Sequence, residues 1–546
     1  MVVGEASGKL LYTLAVGFFT YVVYRGFTSG KRAPNMPPGP PTLPFIGNLH
    51  QMPKSRLHLR FSDWAKQYGD VFSIKVLNKT IVVLNSPTLV KEIIDKHALS
   101  SSNRPQSTMN DMLIPDHMNP GTTRYAHEGW QAFRKAASQL FSNDNMKHLA
   151  PYQEAEVTQM IWEFANQREW LDAIKRFTTS FHMGIIYGTR GATLQSKHVA
   201  AFRHVHPQFM SLLDFGKAPP IDIFPFLAWV PEYFAKWKRL VGEVRSLHAE
   251  LYDDLYRIVE DRIASERESG CFMEQMILKA DSMGLNSRSQ LLNLAAVLLQ
   301  GSDTMLAALH TIVLVLAKYP HALKKAQEEV DRVVGLDRMP MLSDMSSLPY
   351  VNAILEECNR LHPIAPLNLP HEMVCDEVVN SVLYPKDAAL FTNLYFIYRD
   401  ERYFDRPDEF VPERFLKHPF GLKDNVTDDP ARRPNLHFGG GRRVCPGINA
   451  AKSSLELVTS RLIWGFDVLP AIDPDTGKEV CPDLNDCSEG ILVVPLSTSA
   501  RVVPRSAHHK GIIGQRFAAS GDVLSVYERE IEPVDQAFNA AYRDIL

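Results

Sequence analysis

The sequence predicts a mainly α-helical body with small β-sheets, built around one long buried helix. Three observations carry this. Helical patterns dominate from about residue 55 to 505, with no linker, repeat or low-complexity tract. Ser287 to Tyr319 is nearly all apolar or small, and Pro320 ends it. Strand candidates are few and short: Val71–Val76, Thr80–Leu84, Ala388–Thr392 and Ile491–Val494.

Composition narrows the classes. Of 546 residues, 45% are hydrophobic and 22% charged, which excludes wholesale disorder. Net charge is −3, so no basic face for nucleic acid is expected. Six cysteines without a Cys-x-x-Cys pair exclude a disulfide-dense scaffold and argue against structural zinc.

Residues 1–8 are read as a short tail and 9–27 as a membrane anchor. Leu10 to Tyr24 carries no charge, and Gly26 and Phe27 extend it toward spanning length. Arg25, Lys31 and Arg32 follow it, which keeps the downstream body on the cytosolic side. A cleaved signal peptide fits less well, because Glu5 sits in the leader and no cleavage site precedes the prolines. Residues 28–54 form a hinge: Pro37-Pro-Gly-Pro-Pro41 is stiff and extended. Residues 55–505 are expected as one body.

Within that body the central apolar stretch is interrupted by Gln300-Gly-Ser-Asp-Thr304. A polar cluster mid-helix disfavours lipid and points to a buried functional site. Residues 506–546 form an extension of unassigned role, with amphipathic helices expected at Val523–Ile531 and Val534–Leu546.

The sharpest chemical signal is Phe438-Gly-Gly-Gly-Arg-Arg-Val-Cys-Pro-Gly447. Three glycines permit backbone conformations closed to other residues, so the loop is expected to turn its amides toward the Cys445 sulfur. A thiolate against a metal needs such hydrogen bonds, and the helix opening after Pro446 adds its dipole. Arg443 suits a carboxylate beside the sulfur.

Phe438, Gly441, Arg443, Cys445 and Gly447 match every fixed position of Phe-x-x-Gly-x-Arg-x-Cys-x-Gly. This resembles the haem-binding loop of the cytochrome P-450 family, the haem-thiolate monooxygenases. Further matches follow in that family's order. Glu357-Cys-Asn-Arg360 resembles its Glu-x-x-Arg helix, and Arg414, in Pro412-Glu-Arg-Phe415, joins Glu357 and Arg360 in a structural network by that resemblance. Trp130 and Arg134 resemble its propionate-binding Trp-x-x-x-Arg, and His371 follows Pro370 where the family often carries another propionate ligand. Gly301, Asp303 and Thr304 match its distal-helix pattern, in which acid and alcohol relay protons through water. Gln300 and Met305 depart from it, replacing small residues. The expectation for Gln300 is a narrowed pocket or a bond to a polar substrate group.

The resemblance implies the family's fold, with haem b (iron protoporphyrin IX) between the distal helix and the Cys445 loop. It implies insertion of one oxygen atom into a lipophilic molecule, with Cys445, Asp303 and Thr304 as the catalytic set. Electrons would come from NADPH indirectly, since the chain has no nucleotide-binding glycine fingerprint. An NADPH–cytochrome P-450 reductase is the implied partner, with cytochrome b5 a second donor, at the endoplasmic reticulum membrane. Met112, Ile114, Gln300, Met305, Ile364, Leu367 and Leu492 are the pocket candidates. Likeness to fungal microsomal members implies secondary-metabolite chemistry. Two alternatives stay open: a haem-thiolate isomerase or dehydratase, which commonly lacks the acid–alcohol pair, and a non-catalytic haem protein.

Overall fold

The computed structural model describes residues 12–14, 16, 17, 19–21, 24, 26 and 30–544, except 215, 216, 218, 286, 425, 427–432 and 434. The expected anchor therefore falls partly outside the described residues; those described from Tyr12 to Gly26 are helical. Contacts divide the chain into two compact units. No linker marks this division in the sequence, because each unit is assembled from separated stretches.

The first unit comprises residues up to Pro105, Leu367–Ile397 and Gly440–Arg443. It holds helix α1 (Leu57–Tyr68) and strands β1 (Val71–Val76), β2 (Lys79–Leu84), β3 (His371–Glu372), β4 (Glu377–Val379), β5 (Val382–Tyr384) and β6 (Ala389–Thr392). The main sheet runs β1-β2-β6-β3. β1 and β2 pair antiparallel, β2 and β6 parallel. Branched and aromatic residues favour this pleated surface. Phe72, Ile74, Val82 and Val83 are fully buried, and Phe61 and Trp64 of α1 pack edge-on against Phe72 at 5.8 and 5.9 Å.

The proline run is laid along β1 rather than left as a free hinge. Arg32 donates to Pro40 O at 2.7 Å and Ser73 O at 2.9 Å, and Ser73 Oγ donates to Pro37 O at 2.6 Å. A Cβ on Gly39 would lie 2.0 Å from Ser73 O, so only glycine permits this approach.

The second unit carries the larger helical core. Its main helices are α2 (Glu128–Leu140), α3 (Asn143–Ala165), α4 (Trp170–Tyr187), α5 (Lys197–Leu213), α6 (Lys236–Ala264), α7 (Arg288–Gln300), α8 (Ser302–Lys318), α9 (Pro349–Leu361) and α10 (Ile448–Gly465). Strand β7 (Phe466–Ile472) lies between β8 (Glu479–Val480) and β9 (Ala500–Pro504).

The long apolar helix is a pair, α7 and α8, articulated at Gly301. The Gly301 amide bonds Leu298 O at 3.2 Å, one residue short of helical spacing, which tightens the turn there. Among the described residues, Arg288–Lys318 is the one helix long and apolar enough to cross a membrane, but 67% of its apolar window is buried inside the protein. It is a core helix.

Ile491–Val494 is not a strand, which corrects that expectation. Val493 N instead bonds Ile364 O at 2.8 Å, and Val494 N bonds Ser488 Oγ. Pro495 has no amide to continue a ladder.

The C-terminal extension is helical and belongs to the second unit. Helices α11 (Ala507–Ala519) and α12 (Pro533–Tyr542) flank a short turn of helix at Gly521–Ser525. Val523–Ile531 is therefore not the helix expected. Ile513, Phe517 and Leu524 are fully buried. Phe517 stacks on Trp162 at 4.7 Å, and Tyr527 on Tyr152 at 3.8 Å. Arg190, fully buried, pairs with Glu156 at 2.6 Å and with Glu528 at 2.5 Å, and Arg543 closes on Glu528 at 2.8 Å.

Candidate active site

The Cys445 loop begins with a tight turn at Leu436–Phe438. Gly439 and Gly441 both take positive φ, 79° and 56°. Cys445 N donates back to Phe438 O at 2.8 Å, closing the loop, and α10 starts three residues later. Burial pushes the Cys445 thiol up; a hydrogen bond from the Gly447 amide and the positive charge of Arg134 pull the other way without overcoming it.

One expectation is corrected here. The amide that serves the sulfur is Gly447's. The Gly441 amide instead donates to Asp95 Oδ1 at 2.7 Å, within the first unit. A Cβ on Gly441 would sit 2.2 Å from Ile94 O. Gly441→Ala combines that clash with a left-handed backbone. It should cost about 1–3 kcal/mol in stability, read from the denaturant midpoint of the holoprotein.

Arg134, on α2, donates through Nη1 to Val444 O, beside the cysteine. Trp130 is buried on the same helix, with Tyr125 4.8 Å from its ring. In the first unit, Arg443 Nε donates to Ser102 O at 2.9 Å, and His371 Nδ1 lies 2.8 Å from Ser101 O. Sequence reasoning missed Arg104 there. Its buried guanidinium donates to Leu369 O and Pro370 O, both at 2.7 Å, just before His371, and burial lowers its pKa to about 10.

Glu357, Arg360 and Arg414 form one buried network. Glu357 accepts from Arg360 at 2.6 and 2.9 Å, from Arg414 Nε at 3.1 Å and from Val411 N at 2.8 Å. Arg360 also donates to the Tyr398, Pro407 and Glu409 carbonyls. Every polar group is engaged, the condition under which buried charge is tolerated. Glu357→Ala strands two buried guanidinium groups and should cost about 3–5 kcal/mol, with little folded protein recovered at 37 °C.

At the α7–α8 joint, Thr304 Oγ1 donates to Gly301 O at 2.9 Å. Asp303 faces α5, with Oδ1 3.1 Å from Arg203 and Oδ2 3.1 Å from His206. Burial opposes its ionisation, but these two partners outweigh it and hold the carboxyl below its ordinary range. The Gln300 amide meets α6, 3.3 Å from His248 Nε2 and bonded to Tyr252. Met305 is buried in the main core. Met112 and Ile114 pack with Val205, Phe209 and Val244 of α5 and α6. The Val493 bond brings Ile364 beside Leu492, while Leu367 lies in the first unit. A cavity of about 970 Å³ lies between α5, α6 and α7, lined by Ile114, Ala201, His248, Tyr252 and Ala296.

Residues 37–496 match the family model for cytochrome P-450. The chain belongs to the cytochrome P-450 family. It is 34% identical over 503 residues to a cytochrome P-450 monooxygenase of Armillaria gallica, covering 92% of this chain and 95% of that one. It is 33% identical to the cytochrome P-450 monooxygenase macC of Penicillium terrestre, covering 95% and 99%. Zebra fish cytochrome P-450 with progesterone superposes with a TM-score of 0.68 at 21% identity, over 82% of this chain and 99% of that one, which establishes the fold. The protein is thus a monooxygenase, an oxidoreductase that incorporates molecular oxygen, with the helical fold that the sequence predicts.

The family implies haem, and the donor set of this cytochrome P-450 fits it. Among the described residues, no three His, Cys, Asp or Glu side chains cluster as a protein-only metal site. Cys445 offers a single soft sulfur donor, half-buried and amide-bonded, which suits a metal whose other ligands come from a macrocycle.

Proposed function

We propose that this cytochrome P-450 oxygenates a lipophilic small molecule of fungal secondary metabolism, with Cys445 as proximal ligand. The observation that carries the assignment is the half-buried Cys445 thiol just before α10, served by the Gly447 amide. Haem, when bound there, supplies oxygen activation and the transfer of one oxygen atom to carbon. The rest falls to the chain. Trp130 and Arg134, and likewise His371 and Arg443, hold propionates. Asp303 and Thr304, next to each other at the start of α8, pass protons through water to the distal side. Phe438, Gly441 and Gly447 shape the loop. Ile364, Leu492, Met112 and Ile114 offer apolar surface to the substrate.

NADPH serves through a separate reductase, with cytochrome b5 as a second donor. The body sits on the cytosolic face of the endoplasmic reticulum. Exposed Tyr12, Leu14 and Phe19 support membrane attachment of the N-terminal helix. Phe226, Trp229, Tyr233 and Phe234, 57% to 84% exposed, support a second contact of the kind aromatic residues make with headgroups.

The Asp303–Thr304 pair favours oxygenation over isomerisation. The test is incubation of reductase-containing microsomes and fungal extract with ¹⁸O₂. Label in an NADPH-dependent product supports the reading. An unlabelled product formed without NADPH contradicts it.

A further inference from the structure

Asp214 caps the C-terminal end of α5, where a carboxylate opposes the helix dipole. A contact with the chain near residue 490 offsets this. Asp214 Oδ1 accepts from the Ile491 amide at 2.9 Å, and Oδ2 lies 3.1 Å from Lys217 Nζ. The side chain is only 10% exposed. A Cβ on Gly490 would lie 2.5 Å from both carboxylate oxygens, so glycine is what permits the approach.

Gly490 and Ile491 form the tip of a tight hairpin. Cys487 and Pro495 pair across its base, and Ser488 N donates to Val494 O at 2.8 Å. Ser488 Oγ donates to Leu492 O at 2.9 Å and accepts from Val494 N at 3.0 Å. Leu492 therefore sits between two anchors. Asp214 holds the Ile491 amide before it, and Ile364 O holds the Val493 amide after it at 2.8 Å. A second apolar surface goes with α5. Met112 and Ile114 pack with Val205 and Phe209 of α5 in a cluster separate from the main core. Asp222, further along from Asp214, accepts from Ser107 Oγ at 2.8 Å, where the short helix Thr108–Leu113 begins. Asp214 is thus a polar tie from that satellite cluster to the hairpin.

We propose that Asp214 is a positioning residue that sets the size of molecule the substrate space admits. By holding the hairpin tip to α5, it fixes the separation between Leu492 and the surface formed by Met112 and Ile114. This rests on the substrate-facing role given to those residues above. Loss of the tie leaves the Ile491 amide to water and lets the hairpin and α5 part. Bulky molecules then exchange faster. A molecule too small to touch both surfaces is unaffected.

The test uses the full-length holoprotein and two iron ligands of different bulk, imidazole and clotrimazole, an imidazole that carries three aromatic rings. Binding and release are followed by stopped flow through the Soret shift, with haem content matched across variants. Asp214→Ala and Gly490→Ala should each raise both clotrimazole rates at least about fivefold, the scale of one hydrogen bond, with imidazole rates within about twofold of the parent. Asp214→Asn keeps an acceptor for the Ile491 amide and should stay within about twofold of the parent for both ligands. The Asp214→Ala/Gly490→Ala double variant should go no further than the faster single variant, because both remove one contact. Clotrimazole rates equal to the parent in both single variants overturn the proposal. Equal acceleration of imidazole also overturns it, because that marks a general loosening of the haem site and not selection by size. A parent holoprotein whose Soret band answers neither ligand removes the haem-site reading itself, and the role of Asp214 with it.

Discussion

Cys445→Ala should abolish monooxygenase turnover and leave haem weakly held. The loop supplies one sulfur donor, and its neighbour Arg134 cannot replace it, because the guanidinium is cationic and cannot ligate iron. Burial already disfavours the bare thiolate at Cys445, with one amide and one cation only partly offsetting it. Coordination to haem iron would stabilise that ionised sulfur, so on the proposed assignment deletion removes the ligand. A thiolate ligand from Cys445 would supply the electron donation that oxygen activation by haem requires, so activity should fall by at least about a thousandfold, of order 4 kcal/mol in the barrier. The fold itself should persist, because Cys445 N to Phe438 O and Arg134 to Val444 O are main-chain contacts that alanine retains. The check is product formation together with haem per protein after gel filtration, with circular dichroism to confirm the fold.

Truncation after Arg505 should prevent recovery of soluble protein. Removing the extension exposes Trp162, which stacks on Phe517 and meets Phe538 edge-on at 5.9 Å. It also strips Glu528 from Arg190, a guanidinium fully buried against Glu156. Breaking a buried ion pair by removing one partner costs about 3–5 kcal/mol, and lost burial of Phe517 and Ile513 adds about 1.5–3 kcal/mol each. That total is comparable to the whole stability of a typical domain. Glu528→Ala isolates the charge component and should lower stability by about 3–5 kcal/mol in urea melts of the full-length protein. Truncated protein that stays soluble, monomeric and haem-loaded would show the extension to be dispensable.

Legibility in the sequence followed locality. The cysteine loop was readable because its glycines, arginine and cysteine lie within ten residues of one another. The Glu357–Arg360 spacing was readable for the same reason, and so were β1, β2 and β6 of the main sheet, whereas the two-residue β3 is too short to leave a pattern. Arg203 and His206 were not readable. They reach Asp303 from about a hundred residues away, and no spacing rule links α5 to α8. Arg104 was missed likewise, since its partners are main-chain carbonyls that leave no side-chain signature. Helix α11 was hidden by Gly511 and Gly514, which lower helix propensity; burial of Ile513 and Phe517 overrides it. The contacts of Gln300 with His248 and Tyr252 were not readable either, because they come from α6 and a pattern on α7 cannot reveal them. The division into two units was invisible because the chain enters the first unit three separate times.

The most direct test is the reduced, carbon-monoxide difference spectrum of the purified full-length protein. Thiolate ligation through Cys445 predicts a strongly red-shifted Soret band. A band at the position of a histidine-ligated haem, in protein that is folded and fully loaded, would contradict the ligand assignment and the oxygenation chemistry built on it.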